Sequence, residues 1–189
     1  MEDDYDSEFR FVGRPLAALQ GIDDAGRVIY VGTFSKVLFP SLRIGYLILP
    51  PPMVNAFLTA RALVDVHTPI LEQRALADFI VEGHFRRHLR RMRIIYAERR
   101  AALLEAARSM PLEIHGPEAG FHCIGYLPEG MDDLALVRKA AAQGLELWTV
   151  SDFSIEPQTR KGLVLGYGDY NVKQIREGMR RLAAAMRSV

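Results

Sequence analysis

The chain of 189 residues has a single cysteine, Cys123, which excludes an intrachain disulfide and a cysteine-rich zinc site. It also lacks an excess of either charge: 24 Lys+Arg stand against 23 Asp+Glu, a formal net charge of +1, so no global electrostatic attraction to nucleic acid is expected. No apolar run approaches the ~18 residues of a membrane span. The start, Met-Glu-Asp-Asp-Tyr-Asp, is acidic where a secretory signal is basic and then apolar. There is no internal repeat and no low-complexity tract. What is present is ordinary globular composition, 49% apolar and 25% charged. These features lead us to expect a soluble, cytoplasmic protein without a membrane segment, of one domain or two small ones.

Periodicity and punctuation lay out the elements. Val-Ile-Tyr-Val-Gly at 28–32 is a short β-branched run after the turn signal Asp24-Ala-Gly26, and 44–49 is a second strand stopped by Pro50, Pro51 and Pro52. Those prolines suit a helix start, and 53–64 reads as that helix. Thr68-Pro69 opens another, interrupted at Glu82-Gly83, and from His84 a long helix runs to about Ser109 with Phe85, Leu89, Met92 and Tyr96 on one face. Beyond Pro111 the pattern changes to strands at 112–115 and 120–127, a helix at 132–143 with Asp132 as N-cap and Gly144 as C-cap, strands at 145–150 and 163–168, and a last helix capped by Asn171. The expected organisation is the end of an α/β domain with its connecting helix over 1–96, then a small α+β domain over 97–189.

The chemistry concentrates in Gly32-Thr-Phe-Ser-Lys36 and the Arg43 that follows. A lysine leaving a strand in a turn of small hydroxyl residues is a nucleophile toward carbonyls once deprotonated. Backbone N–H groups and hydroxyls of such a turn can cradle a phosphate, and an arginine adds a bidentate contact. The plainer alternative is a polar surface turn. Asp3 and Tyr5 bear on the choice: on a strand, i and i+2 project to one face, with Asp4 on the other. A carboxylate and a phenol together are the types needed at a pyridinium nitrogen and a phenolic oxygen, although Glu2, Asp3, Asp4 and Asp6 also read as an acidic surface run.

With Glu2-Asp-Asp-Tyr-Asp-Ser-Glu-Phe-Arg10, Gly32-Thr-Phe-Ser-Lys36 and Leu42-Arg-Ile-Gly-Tyr46 in view, the chain resembles the aminotransferase-like domain of the MocR subfamily of GntR transcriptional regulators. That domain is similar to fold-type-I pyridoxal-phosphate transferases, and the resemblance covers nearly the whole chain, including Gly162-Leu-Val-Leu-Gly-Tyr-Gly168. The resemblance implies an α/β fold: the C-terminal portion of a fold-type-I transferase, with the end of a large mixed-sheet domain, a connecting helix and a small α+β domain. It implies pyridoxal 5'-phosphate as cofactor, with Lys36 as the Schiff-base lysine, Asp3 at the ring nitrogen, Tyr5 at the phenolic oxygen, and Thr33, Ser35 and Arg43 on the phosphate side. It further implies an amino-acid or amine effector, a homodimeric parent, and DNA binding only through an N-terminal winged helix-turn-helix that the chain does not include. The chain resembles the last third or so of such a protein, so the fragment alone is expected to hold the cofactor poorly and to leave a sheet edge and an apolar face open. A working class I/II aminotransferase is the competing reading, and a catalytically silent remnant the blandest.

Against the family pattern, the small-domain arginine that holds a substrate carboxylate matches Val164, with Arg160 in Pro157-Gln-Thr-Arg160 the replacement candidate and Asp152 standing where regulators can carry a basic residue. His84 and His88 have metal-ligand spacing but lack the carboxylate of a zinc protease motif. The arginines 86, 87, 90, 91, 93, 99 and 100 read as the solvated side of the long helix, with docking of DNA or of a DNA-binding domain as the lesser option. Cys123 reads as core, and Trp148 and Tyr170 as packing residues.

Overall fold

In the computed structural model, which describes residues 1–116, 118–156 and 160–189, the chain forms two compact units, Met1–Arg91 and Met92–Val189. The first holds three short strands, β1 (Glu2–Asp4), β2 (Tyr30–Thr33) and β3 (Gly45–Ile48), side by side in that order, with β1 parallel and β3 antiparallel to β2. β3 ends where Pro50–Pro52 remove backbone donors, and the same prolines start a 3-10 turn that runs into helix α1 (Val54–Val64). Helix α2 (Ile70–Val81) follows Pro69. Glu82 and Gly83 separate it from α3 (His84–Ala107), a helix within which both the expected boundary at 96/97 and the division between the units fall.

Phe9, Val37, Pro50 and Leu76 are buried apolar side chains of the first unit. Leu58 and Leu63 on α1, Leu71 and Val81 on α2, and all of β3 are exposed. β3 therefore presents an open sheet edge, and the helices an open apolar face.

The second unit is an antiparallel sheet of β4 (Glu113–His115), β5 (His122–Tyr126), β7 (Gly162–Gly166) and β6 (Trp148–Thr149), in that spatial order. Helices α4 (Asp133–Ala141) and α5 (Val172–Met186) pack on each other. Asp132 caps α4 by accepting from the Leu134 and Ala135 N–H groups, and Asn171 with Gln174 forms a reciprocal capping box on α5. On α5, Ile175, Met179, Leu182 and Met186 recur at helical spacing, and all four are buried. They share the core with Leu136, Ala140, Cys123, Leu163, Leu165 and Tyr167, whose hydroxyl donates to the Gly120 carbonyl at 2.8 Å.

Several expectations are corrected. The helix expected to 143 stops at Ala141, and Gly144, at φ +73°, makes the left-handed turn that closes it. The strand expected over 145–150 shrinks to two residues, because Leu145 N–H bonds back to Ala140 and the Thr149–Asp152 capping box starts a 3-10 turn. That box also accounts for Asp152. Trp148 and Tyr170 are not packed inside: each is 54% exposed, Trp148 because it lies on the edge strand. Of the arginines on α3, residues 86, 87, 90 and 91 are exposed, whereas Arg99 and Arg100 are half-buried, Arg99 donating to the Gly168 carbonyl. No helix of the described residues is long and apolar enough to cross a membrane.

Cys123 is buried, and burial pushes its thiol up to about 11, only partly opposed by the positive charge of Arg100. Because the folded value lies above the free thiol's 9.0, burial of the neutral thiol stabilises the fold below that value, and this contribution is lost as pH rises toward 11. The folded chain should therefore resist a thiol reagent at mildly alkaline pH and react fully in denaturant; equal rates in the two states would contradict the buried placement.

Candidate functional site

The topology of the first unit gathers the candidate residues. β1 and β2 are parallel, so Asp3, Asp4 and Tyr5 leave the carboxyl end of one strand beside Thr33, Ser35 and Lys36 at the carboxyl end of the next. β3 is antiparallel, so its beginning, just after Arg43, lies at the same edge. The register aligns Asp4 with Gly32, and Thr33 with Gly45. The carboxyl edge of parallel strands is where open α/β sheets take ligands. Asp3, Tyr5, Thr33, Ser35, Lys36 and Arg43 are thus brought to one edge of one small sheet.

The Lys36 turn is closely tied down. Phe34 N–H bonds the Ile44 carbonyl and Leu38 N–H bonds the Phe34 carbonyl, both at 2.9 Å. The Thr33 hydroxyl accepts from Ser35 N–H at 3.1 Å and faces the Ile44 carbonyl at 3.4 Å. Ser35 and Val37 are buried, while Lys36 between them is exposed. Arg43 follows a 3-10 turn, exposed and in the left-handed region at φ 52°. For a residue with a Cβ this is a costly conformation of the kind that concentrates at ligand sites.

β1 is shorter than the alternation argument needs. It stops at Asp4, whose carboxylate accepts Ser7 N–H at 3.1 Å and turns the chain, so Tyr5 sits just past the strand end rather than on the Asp3 face of it. Burial raises the Tyr5 phenol, and the negative charges of Asp6 and Asp3 push it the same way. Asp4 serves the fold, since the Tyr30 hydroxyl donates to it at 2.7 Å. Burial works to raise the Asp4 carboxyl, but the Tyr30 and Ser7 hydrogen bonds outweigh it and hold the group below its ordinary range.

Two further residues shape the turn. The Tyr46 ring covers Gly32, where an added Cβ would lie 2.3 Å from it, and it packs 5.4 Å from Phe34 and 6.1 Å from Tyr30. The readable signal was a glycine facing a tyrosine across an antiparallel pair. Gly32→Ala is expected to displace that ring at a cost of about 1–3 kcal/mol in chemical denaturation, and an unchanged midpoint would contradict the close approach. His88, from α3, meets the Val37 carbonyl through Nε2 at 2.8 Å. His84, by contrast, faces Glu82 at 3.1 Å and Arg87 at 2.7 Å.

Arg160 lies in the other unit. Its guanidinium pairs with Glu113 and sits 4.1 Å over the Tyr126 ring. Residues 157–159 of its segment lie outside the described residues. Val164 is half-buried on β7, between Ile124 and Trp148.

The family model for aminotransferase class I and II matches residues 5–161. A probable rhizopine catabolism regulatory protein MocR of Rhizobium meliloti is 42% identical over 98% of this chain and 38% of its own length. An uncharacterized HTH-type transcriptional regulator, YhdI, of Bacillus subtilis is 41% identical over 98% of this chain and 40% of its own. The crystal structure of LysN, the alpha-aminoadipate aminotransferase of Thermus thermophilus complexed with N-(5'-phosphopyridoxyl)-L-leucine, superposes with a TM-score of 0.88 at 30% identity, over 99% of this chain and 49% of that one. The chain thus spans about two fifths of the regulators' length and about half of the aminotransferase's. The family implies pyridoxal phosphate, and the donors at the sheet edge fit it: a carboxylate for a cationic ring nitrogen, a phenol for a phenolate oxygen, an amine for an aldehyde, and hydroxyls with a guanidinium for a phosphate.

Proposed function

The chain belongs to the aminotransferase class I and II family, and on that premise we propose that it is the effector-sensing part of a pyridoxal-phosphate-dependent transcriptional regulator of the MocR type. The observation that carries the reading is the convergence of Asp3, Tyr5, Thr33, Ser35, Lys36 and Arg43 on one sheet edge, in a chain whose regulator relatives reach 42% and 41% identity. Asp3 holds the proton on the ring nitrogen, and Tyr5 donates to the phenolic oxygen. Thr33, Ser35 and Arg43 bind the phosphate. Lys36 would supply the ε-amine that anchors the cofactor. When bound, the cofactor supplies an electron sink next to that amine. A Lys36 amine released by an amino acid or amine effector would change its contacts, and so would bias the regulator between two states. In the parent protein we place DNA binding in an upstream helix-turn-helix domain and expect a homodimer.

The likeness to LysN supports a second reading, a working aminotransferase in which the freed Lys36 moves a substrate proton as general base. In either reading Arg160, which pairs with Glu113, is the candidate for a substrate carboxylate. The parent protein, loaded with cofactor and titrated with amines, decides between them. The regulator reading expects an amine-dependent change in operator binding with no oxo-acid released over many turnovers. Sustained oxo-acid production without any effect on operator binding would overturn it in favour of the enzyme.

A further inference from the structure

We infer that His88 is the positioning residue for Lys36, fixing from α3 the backbone that presents the ε-amine. This rests on the reading of Lys36 as the cofactor lysine. Lys36 is flanked by two residues that α3 holds. On one side Phe34 meets Phe85 edge-on at 5.8 Å. On the other, the Val37 carbonyl is met by His88 Nε2 at 2.8 Å, a bond between groups 51 residues apart in sequence. Phe85 and His88 are three apart on the helix, so they lie on neighbouring turns of one face.

A carbonyl can only accept, so His88 Nε2 must carry a hydrogen, and it does so in the imidazolium as well as in that neutral tautomer. The tether therefore survives a change in the ring's charge. Val37 itself is 2% exposed, so its side chain is anchored, and His88 gives its carbonyl a partner. A lysine has a long, freely rotating stem, and where its amine can reach is set by the backbone at its root. Small misplacements at such a root cost reactivity out of proportion to the size of the shift.

The test compares His88→Leu, which keeps bulk and removes the donor, with His88→Gln, which restores an N–H of similar reach. His84→Leu on the preceding turn is the control. Amide hydrogen exchange is read in the cofactor-free chain. Reductive trapping with pyridoxal phosphate and borohydride is read at Lys36 relative to Lys139, Lys161 and Lys173. His88→Leu should speed exchange at 35–38 by about tenfold or more and slow trapping at Lys36 by a similar factor, with α5 exchange unchanged. His88→Gln should bring both back to within about threefold of the unmodified chain, and His84→Leu should alter neither. Faster exchange with normal trapping, or a failure of Gln to rescue trapping, would reduce His88 to a loop tether and overturn the role. Label on Lys139, Lys161 or Lys173 in place of Lys36 in the unmodified chain would instead overturn the lysine assignment, and this role with it, which separates the two failures.

Discussion

Borohydride reduction of the chain at saturating pyridoxal phosphate is expected to place the phosphopyridoxyl group on Lys36, and Lys36→Arg to remove that label completely. The chain has four lysines, so the outcome is decided by which of four peptides carries the added mass. Lys161 is a poor competitor because its ammonium is already engaged, paired at 3.2 Å with the buried Asp133. Lys139 and Lys173 are exposed on α4 and α5, with neither a hydroxyl-rich turn nor a left-handed arginine beside them. Lys36 has Thr33 and Ser35 on its own turn and Arg43 at the same sheet edge, so a phosphate held by them would raise the local concentration of the aldehyde at that amine. Label shared evenly among the four peptides, or concentrated on Lys161, would remove Lys36 from the role.

The helices were the most legible part of the chain. Each of α1, α2, α3 and α5 lies within a residue or two of where proline, glycine and capping residues set it, because those signals act on the local backbone. The site was legible as residue types but not as geometry. Sequence spacing put Asp3 and Tyr5 on one strand face, whereas the Asp4–Ser7 hydrogen bond ends the strand between them. What unites the site is strand direction, parallel for β1 and β2 and antiparallel for β3, a pairing across nearly thirty residues that no local pattern encodes. The tertiary partners were missed for the same reason. His88 drew notice only for its spacing from His84, and it contacts the Lys36 turn. Arg160 looked free to reach a substrate and is held by Glu113. Trp148 read as a packing residue and lies on an edge strand, 54% exposed.

Asp3 and Asp4 are neighbours of identical chemistry, and replacing each by asparagine should give opposite results. Asp4 is committed to the fold, since its carboxylate accepts from the Tyr30 hydroxyl at 2.7 Å and from Ser7 N–H at 3.1 Å. Its carboxyl is held below the ordinary range, so it contributes stability that is present at neutral pH and lost as pH falls through that lowered value. Asp4→Asn should therefore cost about 1–2 kcal/mol in denaturant unfolding at neutral pH, lose that cost in acid, and change cofactor affinity little. Asp3 is exposed at the carboxyl end of β1, in register with Val31, and Asp3→Asn should leave unfolding unchanged. Its effect should fall on the cofactor: a neutral amide does not hold a proton on the ring nitrogen, and a charge-assisted hydrogen bond of about 1.5–3 kcal/mol is lost, which weakens affinity about ten- to a hundredfold and abolishes exchange with amines. Measured side by side, the pair separates ligand chemistry from folding within one short strand. Unchanged affinity and amine exchange in Asp3→Asn would take Asp3 out of the site, and loss of both in Asp4→Asn at full stability would put Asp4 in its place.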